Sequence, residues 1–360
     1  EAAGRHVGRP VLAAPAGPLG DFPVQTLRPG SAVAVGYSSG DLRLGYRDFV
    51  DRVTRLATLL AARGVRAGDT VAVMDWDSHR YLECYFAIPM MGAILQTVKV
   101  RLSPAQIDFT LRQSGASFLL HHADFAAVCA ELLPNLPQIG GVIVMEAGTP
   151  GEGYEALIAA TTADFTFVDF DENAIATTFH TTGTTGDPKQ VFFSHRQLVL
   201  HTLALAATLA NQPDGQGLRR SDVYMPMTPM FHVHAWGIPY VATLLGVKQV
   251  YPGRYDPATL LALKHREGVS FSHCVPTIVR MLLNANAATG ETLAPWTIVI
   301  GGSALPGALA EEAEAAGITA VAGYGMSETG PVISLARGPG QDVAGRCRAG
   351  FPVPLVDARV

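Results

Sequence analysis

Thr181-Thr-Gly-Thr-Thr-Gly-Asp-Pro-Lys-Gln-Val191 is the densest run of Thr and Gly in the chain, and its reading decides the fold. The β-branched and aromatic stretch Ile175 to His180 predicts a strand running into it. The apolar run Leu198 to Leu209, with Ser194 as N-cap, predicts a helix leaving it. A strand, a Gly-rich loop and a helix in that order aim backbone N–H groups at a phosphate. Thr181, Thr182, Thr184 and Thr185 supply hydroxyls, Gly183 and Gly186 allow close backbone approach, Pro188 stiffens the exit, and Lys189 adds a point charge. The P-loop of kinases and GTPases has a wider glycine spacing followed by Lys-Ser/Thr, whereas here Asp187-Pro188 stands before Lys189. Such a run also occurs as a plain polar surface loop. Its fixed order behind an apolar strand favours a triphosphate cradle.

Outward from this loop, strand and helix patterns alternate. Before it, Ala32–Tyr37 and Leu42–Tyr46 read as a hairpin, 47–63 as an amphipathic helix stopped by Gly64, and 71–74, 93–98, 117–121 and 142–145 as strands with helices between. Ser103-Pro104 and Asp256-Pro257 read as helix starts. After it come strands at 223–227, 248–251, 269–274, 296–300 and 318–323, with helices near 236–245 and over 257–267, from 276, and over 306–316. Repeated βα units predict an α/β protein with two mostly parallel sheets flanked by helices. The expected subdomains are 60–205, then 30–59 with 206–335. Residues 332–360 carry Gly/Pro punctuation and no helix pattern, so 336–360 is expected to start a small β-barrel subdomain.

With 48% hydrophobic and 16% charged residues the chain is globular. A formal charge of −5 without a basic stripe argues against a nucleic-acid partner. Cys84, Cys129, Cys274 and Cys347 are far apart and form no CxxC pair, so they read as reduced thiols. No segment reaches the roughly 20 apolar residues of a membrane span. The sequence opens on Glu1 with no Met and no apolar signal core, so Glu1 is expected not to be the native start, and the location is expected to be cytoplasmic.

Further constellations sit at predicted strand ends. In Tyr324-Gly-Met-Ser-Glu-Thr-Gly330, Gly323 and Gly325 flank a ring that can stack on a base, Ser327 can donate to a phosphate, and Glu328 can hold a divalent cation. The plainer reading is a turn with a solvated carboxylate. Gly301-Gly302-Ser303 are small enough for a planar base to lie against the backbone, although Gly-Gly ends many strands. Pro229-Met-Phe-His-Val-His-Ala-Trp-Gly237 leaves three readings open: a His-x-His metal site, core histidines, or a substrate-pocket wall formed by His232, Val233 and Trp236 with Gly302.

Together these segments resemble the ANL superfamily of adenylate-forming enzymes: acyl- and aryl-CoA synthetases, peptide-synthetase adenylation domains and firefly-type luciferases. Thr181–Val191 is similar to its phosphate loop, with Gln190 in place of Gly and His180 where Tyr or Phe is usual. Tyr324–Glu328 is similar to its Tyr-Gly-x-Ser/Thr-Glu motif. Leu42–Phe49, Gly64–Ala72 and Val98–Leu102 resemble further family segments, with Lys99 where Asn is expected. The resemblance covers nearly the whole chain.

It implies ATP-dependent activation of a carboxylic acid to an acyl-adenylate, then thioester formation with coenzyme A, using Mg²⁺. By the same resemblance Lys189, His232, Ser327 and Glu328 are catalytic, Thr182 shares the metal with Glu328, Tyr324 stacks on adenine, and Gly301–Ser303 line the base. His232 borders the acyl carboxylate. The run Phe231-His-Val-His-Ala-Trp lacks the Asp by which peptide-synthetase domains hold an amino group, and it resembles the medium-chain fatty-acid branch. Trp236 is bulky enough to shorten a tunnel, which favours medium-chain fatty or aryl acids. Beyond Gly350-Phe-Pro-Val-Pro354 the family's ribose-binding Asp and C-terminal domain with its catalytic Lys are not present, so the chain is expected to be the N-terminal part of a longer enzyme, poorly active alone. Alternatives are a non-catalytic nucleotide- or acyl-binding module, an adenylation enzyme loading a carrier protein, and a phosphotransferase. The oligomeric state stays open, a homodimer being one option.

Overall fold

A computed structural model describes residues 32–37, 40–145, 153–181, 187–212, 216–336 and 342–359. Strands β1 (Ala32–Tyr37) and β2 (Gly40–Gly45) form an antiparallel hairpin. Then come β3 (Thr70–Met74), β4 (Ile94–Thr97), β5 (Ala116–His121) and β6 (Gly141–Val144). A second hairpin joins β7 (Ile175–Thr181) to β8 (Lys189–Ser194). After it run β9 (Val223–Pro226), β10 (Lys248–Tyr251), β11 (Phe271–Cys274), β12 (Trp296–Ile300) and β13 (Ile318–Tyr324). Two short strands, β14 (Ser334–Leu335) and β15 (Phe351–Pro352), come last.

The chain divides into two compact units, each built on one sheet. The first comprises Tyr46–Val199 with Met230–Val233 and carries the order β6-β5-β3-β4-β7-β8, parallel except for β8. Every residue of β3 is buried, as expected for a central parallel strand covered on both faces. The second unit comprises Leu200–Pro229, His234–Val360 and the β1–β2 hairpin, in the order β15-β14-β13-β12-β11-β9-β10-β1-β2. Its strands β13 to β1 are parallel, with antiparallel pairs at both edges. Two mostly parallel, helix-flanked sheets are the expected α/β class.

Local sequence signals act as read. Ser103 and Gln106 close a capping box ahead of the helix Pro104–Gln113. Asp256 accepts from the Thr259 amide at 2.9 Å to start Pro257–Glu267, and Gly268 ends that helix with φ +70°.

Three expectations need correction. The helix Tyr46–Ala62 belongs to the first unit, not with 206–335, because its apolar face lies on the first unit's helices and its Arg52 bonds Glu83 at 2.6 Å and Glu155 at 2.8 Å. Among the described residues of 336–360 no closed barrel forms: β14 and β15 extend the second sheet from β13, and Asp342 caps a short helix, Val343–Arg346, by accepting from the Gly345 amide. The third concerns the Thr/Gly stretch, which runs from strand to strand. Val191 and Phe193 pair with β7, Phe193 packs its ring 5.6 Å from Phe179, and the helix begins only at His195.

Candidate active site

The β7–β8 hairpin fixes both ends of the Thr/Gly loop. Thr181 pairs with Lys189 at the last rung of the ladder. Thr182, Gly183, Thr184, Thr185 and Gly186 lie outside the described residues. Lys189 is exposed and Pro188 buried, so the cation stands at the loop's foot. The loop is followed by strand β8, and the helix His195–Ala210 begins only after that strand. Ser194 and Gln197 cap the following helix reciprocally, at the far end of β8. Gln190, where the family has Gly, is in extended strand opposite His180, and its amide donates to the Thr178 hydroxyl at 3.1 Å. His180 bonds Gln113 at 3.0 Å, and burial pushes its pKa down to about 4.

His232 belongs to this first unit as well. The main chain just before it is held by three buried side chains. The Met230 amide donates to Asp77 Oδ1 at 2.8 Å, the Tyr85 hydroxyl donates to the Met230 carbonyl, and the Thr97 hydroxyl donates to the Phe231 carbonyl at 3.2 Å. Thr97 ends β4, beside the end of β3, so this segment lies at the carboxyl ends of parallel strands, where α/β proteins place ligands. The His232 side chain reaches solvent, yet enough protein lies under the ring that desolvation, and then the Lys99 ammonium, hold its pKa below the ordinary value. Val233 is buried with Phe179 and Phe193 and so serves the core.

From Val233 to Trp236 the backbone makes a left-handed turn, with φ of 48°, 55°, 48° and 57°, continued by Gly237 at 73°. Each such non-glycine residue costs roughly 1–2 kcal/mol. Strain of that size persists only where packing over-determines it, and it concentrates at functional sites.

In the second unit the turn delivers Trp236 onto His273, ring centroids 4.9 Å apart. His273 is fully buried, with Nε2 2.8 Å from the Tyr224 hydroxyl and its pKa pushed down to about 3 by burial. His234 is buried too, 6.2 Å ring to ring from Tyr240, and its pKa falls to about 3 through desolvation and then His201. With His232 exposed and His234 in the core, a shared His-x-His metal site is not formed. Among the described residues no cluster of three or more His, Cys, Asp or Glu could hold a metal ion.

The parallel neighbours β12 and β13 bring the remaining predicted residues together at their carboxyl ends. Gly301 lies against the Gly323 carbonyl and the Trp236 indole. Gly302, at φ +76°, and Ser303 are exposed beside it. Tyr324 is half exposed, its ring free to receive a planar partner. Gly325 admits no side chain, since a β-carbon there would overlap the Pro331 carbonyl oxygen. Ser327 and the exposed Glu328 sit on a single 3-10 turn, Ser327–Thr329. This one outward carboxylate suits a cation carried mainly by water and phosphate oxygens, not an all-protein cage. The arrangement is a small-residue floor, an exposed ring, a hydroxyl and a carboxylate along one strand edge.

The sequence pattern of the AMP-binding enzyme family matches residues 22–360. The chain is 39% identical over 330 residues to a long-chain-fatty-acid–CoA ligase of Thermus thermophilus, covering 88% of this chain and 60% of that protein. It is 34% identical over 310 residues to a medium-chain-fatty-acid–CoA ligase of Ectopseudomonas oleovorans, covering 83% and 56%. The chain thus spans less than two thirds of the length of these curated relatives. Among solved structures, the anthranilate CoA ligase AuaEII in complex with anthranoyl-AMP superposes with a TM-score of 0.81 at 22% identity, over 93% of this chain and 64% of that one. The N-terminal domain of FACL13 from Mycobacterium tuberculosis superposes with a TM-score of 0.80 at 22% identity, over 92% and 81%. With the pattern matched across both sheets and through the Tyr324–Glu328 motif, the chain belongs to the AMP-binding enzyme family.

Proposed function

We propose that the protein is an AMP-forming acid–thiol ligase that activates an apolar carboxylic acid with ATP and passes it to coenzyme A. One carboxylate oxygen attacks the α-phosphorus, the bond from that phosphorus to the β-phosphate bridging oxygen breaks, and pyrophosphate leaves. The thiol sulfur then attacks the acyl carbonyl carbon, AMP leaves with the bonding pair of the carbon–oxygen bond, and the thiol proton goes to solvent. The observation that carries this reading is the edge formed by Gly301–Ser303 and Tyr324–Glu328 at the carboxyl ends of β12 and β13, within the family match.

The roles follow from charge. Bringing an acid's carboxylate to a triphosphate sets negative groups together, and fixed donors in a closed site offset that. Thr181, Thr182, Thr184, Thr185, Gly183, Gly186 and Lys189 serve the phosphates, Tyr324 stacks on the base over Gly301 and Gly302, and Ser327 donates to a phosphate. Glu328, with Thr182, is the protein's contribution to Mg²⁺, which neutralises phosphate charge when bound. His232, held neutral near pH 7 by desolvation and Lys99, can accept a hydrogen bond or donate one to the acid without adding a charge.

For the acid we propose a medium-chain fatty or aryl class, since the bulky Trp236 stands beside Gly301 and His273. Apolar contacts contribute only about 0.8 kcal/mol per methylene, so chain-length tolerance is broad. Incubating the full-length protein with ATP, Mg²⁺, coenzyme A and a pool of acids, and reading products by mass, tests the reading. Acyl-CoA with AMP supports it. Acyl-adenylate without acyl-CoA moves the acceptor to a carrier protein, and no nucleotide turnover with any acid sinks it.

A further inference from the structure

The chain enters the His232 segment from the second unit's β9, yet Met230 and Phe231 belong to the first unit and are hydrogen-bonded there through their main-chain atoms. Asp77, Tyr85 and Thr97 are each at most 2% exposed. Burying a carboxylate is costly unless hydrogen bonds satisfy it, so packing alone would not select Asp at position 77. One donor that Asp77 meets there is the Met230 amide, at 2.8 Å. Tyr85 holds the carbonyl of the same residue and Thr97 the next carbonyl, so successive peptide groups are fixed in orientation whatever side chains they carry. The very next residue carries the imidazole, and the one after it opens the left-handed turn. With the peptides on one side pinned and the turn strained on the other, the His232 Cα–Cβ direction has little freedom.

We infer that Asp77, Tyr85 and Thr97 are positioning residues that clamp the Met230–Phe231 main chain and thereby aim His232 at the acid's carboxylate. The inference rests on the role of His232 proposed above. It assigns function to three residues that do not touch substrate themselves. A misplacement of about 1 Å at a reacting centre can cost on the order of a hundredfold in rate, so an indirect clamp is enough to be visible kinetically.

The test uses the full-length protein with Asp77→Ala, which removes the acceptor, Asp77→Asn, which keeps an acceptor oxygen, and Tyr85→Phe, which keeps the ring and loses only the hydroxyl. Hydrogen–deuterium exchange at the imidazole carbon, followed peptide by peptide in a mass spectrometer, reads the His232 titration directly. In the parent protein desolvation and then the Lys99 ammonium hold His232 below the ordinary imidazole value. Asp77→Ala is expected to move that midpoint up toward 6.5 and to lower kcat/KM for the acid about tenfold or more, with KM for ATP little changed. Asp77→Asn is expected to restore both, and Tyr85→Phe to shift both in the Ala direction by less. An unchanged His232 titration in Asp77→Ala overturns the clamp, as does equal loss in the Ala and Asn variants with the same fall in Tm. If His232→Ala itself leaves adenylation intact, the proposed role of His232 fails, while the exchange midpoint still decides the clamp by itself.

Discussion

Gly301 and Trp236 are so close that a β-carbon on Gly301 would stand 2.9 Å from Cη2 of the indole. On the other side it would meet the Gly323 carbonyl oxygen at 3.3 Å. The glycine therefore does two things at once: it seats the ring and lets the ends of β12 and β13 lie side by side. Gly301→Ala must push either the indole or a strand, and overpacking of this kind costs roughly 1–3 kcal/mol. We expect lower stability and a changed preference along a series of acids of increasing length. The double variant Gly301→Ala with Trp236→Leu should recover part of the loss, with a coupling of about 0.5–3 kcal/mol in chemical denaturation. Strict additivity would mean that the two residues do not share the space.

Glu328 and Lys189 carry the opposite charges that the proposed reaction needs, and both are exposed, Lys189 at the start of β8 and Glu328 on the turn after β13. Glu328→Ala and Lys189→Ala are each expected to remove about 2.7–4 kcal/mol of transition-state stabilisation from adenylation. Pyrophosphate release at saturating acid measures this. Raising Mg²⁺ should rescue Glu328→Ala in part and leave Lys189→Ala unrescued. Cys129→Ser, which alters a buried thiol in the first unit's core, should leave turnover unchanged.

How much of this was legible in the chain depends on the distance over which each feature is specified. The strand ends before Gly301 and at Tyr324 and the caps at Ser103 and Asp256 are specified locally, and the structure forms each where its residues predict. Strand β8 escaped because Lys189–Ser194 is short and lies directly before a strong helix pattern; only its pairing with Ile175–Thr181 makes it a strand. The left-handed turn carries no Gly until position 237, so nothing in Val233–Trp236 signals positive φ. Asp77 and Met230 are 153 residues apart, and neither shows alone that it will bond the other. Lys99 stood out as a departure from the family pattern, but its effect on His232 is a matter of space.

Acid should destabilise the second unit through its buried imidazoles. Burial holds the pKa values of His234 and His273 near about 3, against 6.5 for the free side chain. The folded protein keeps them neutral, so between those values the unfolded chain takes up protons that the folded chain refuses. The stability they confer is present above pH 6.5 and is lost as pH falls, by up to about 1.4 kcal/mol per pH unit for each. Denaturant titrations from pH 7 to pH 5 should show this slope, and His273→Gln should flatten it. An unchanged slope would mean that other groups dominate the acid transition.

The first unit is tied by charge in a region where charge is expensive. The Glu83 carboxylate is fully buried on the helix His79–Met90. It accepts from Arg52 at 2.6 Å on Tyr46–Ala62, and from the Tyr154 hydroxyl at 2.5 Å on Tyr154–Ala160. Three helices therefore share one carboxylate. Glu83→Ala would leave the mostly buried Arg52 with Glu155 as its remaining partner and leave the Tyr154 hydroxyl without its acceptor, so we expect a loss of about 3 kcal/mol. Glu83→Gln keeps one acceptor oxygen and should lose less. Replacing the pair together, as Arg52→Met with Glu83→Leu, should lose less than Glu83→Ala, because two desolvated charges leave together and only the Tyr154 hydroxyl stays without its acceptor. Equal destabilisation by the single and double changes would show that the carboxylate acts by its shape and not by its charge.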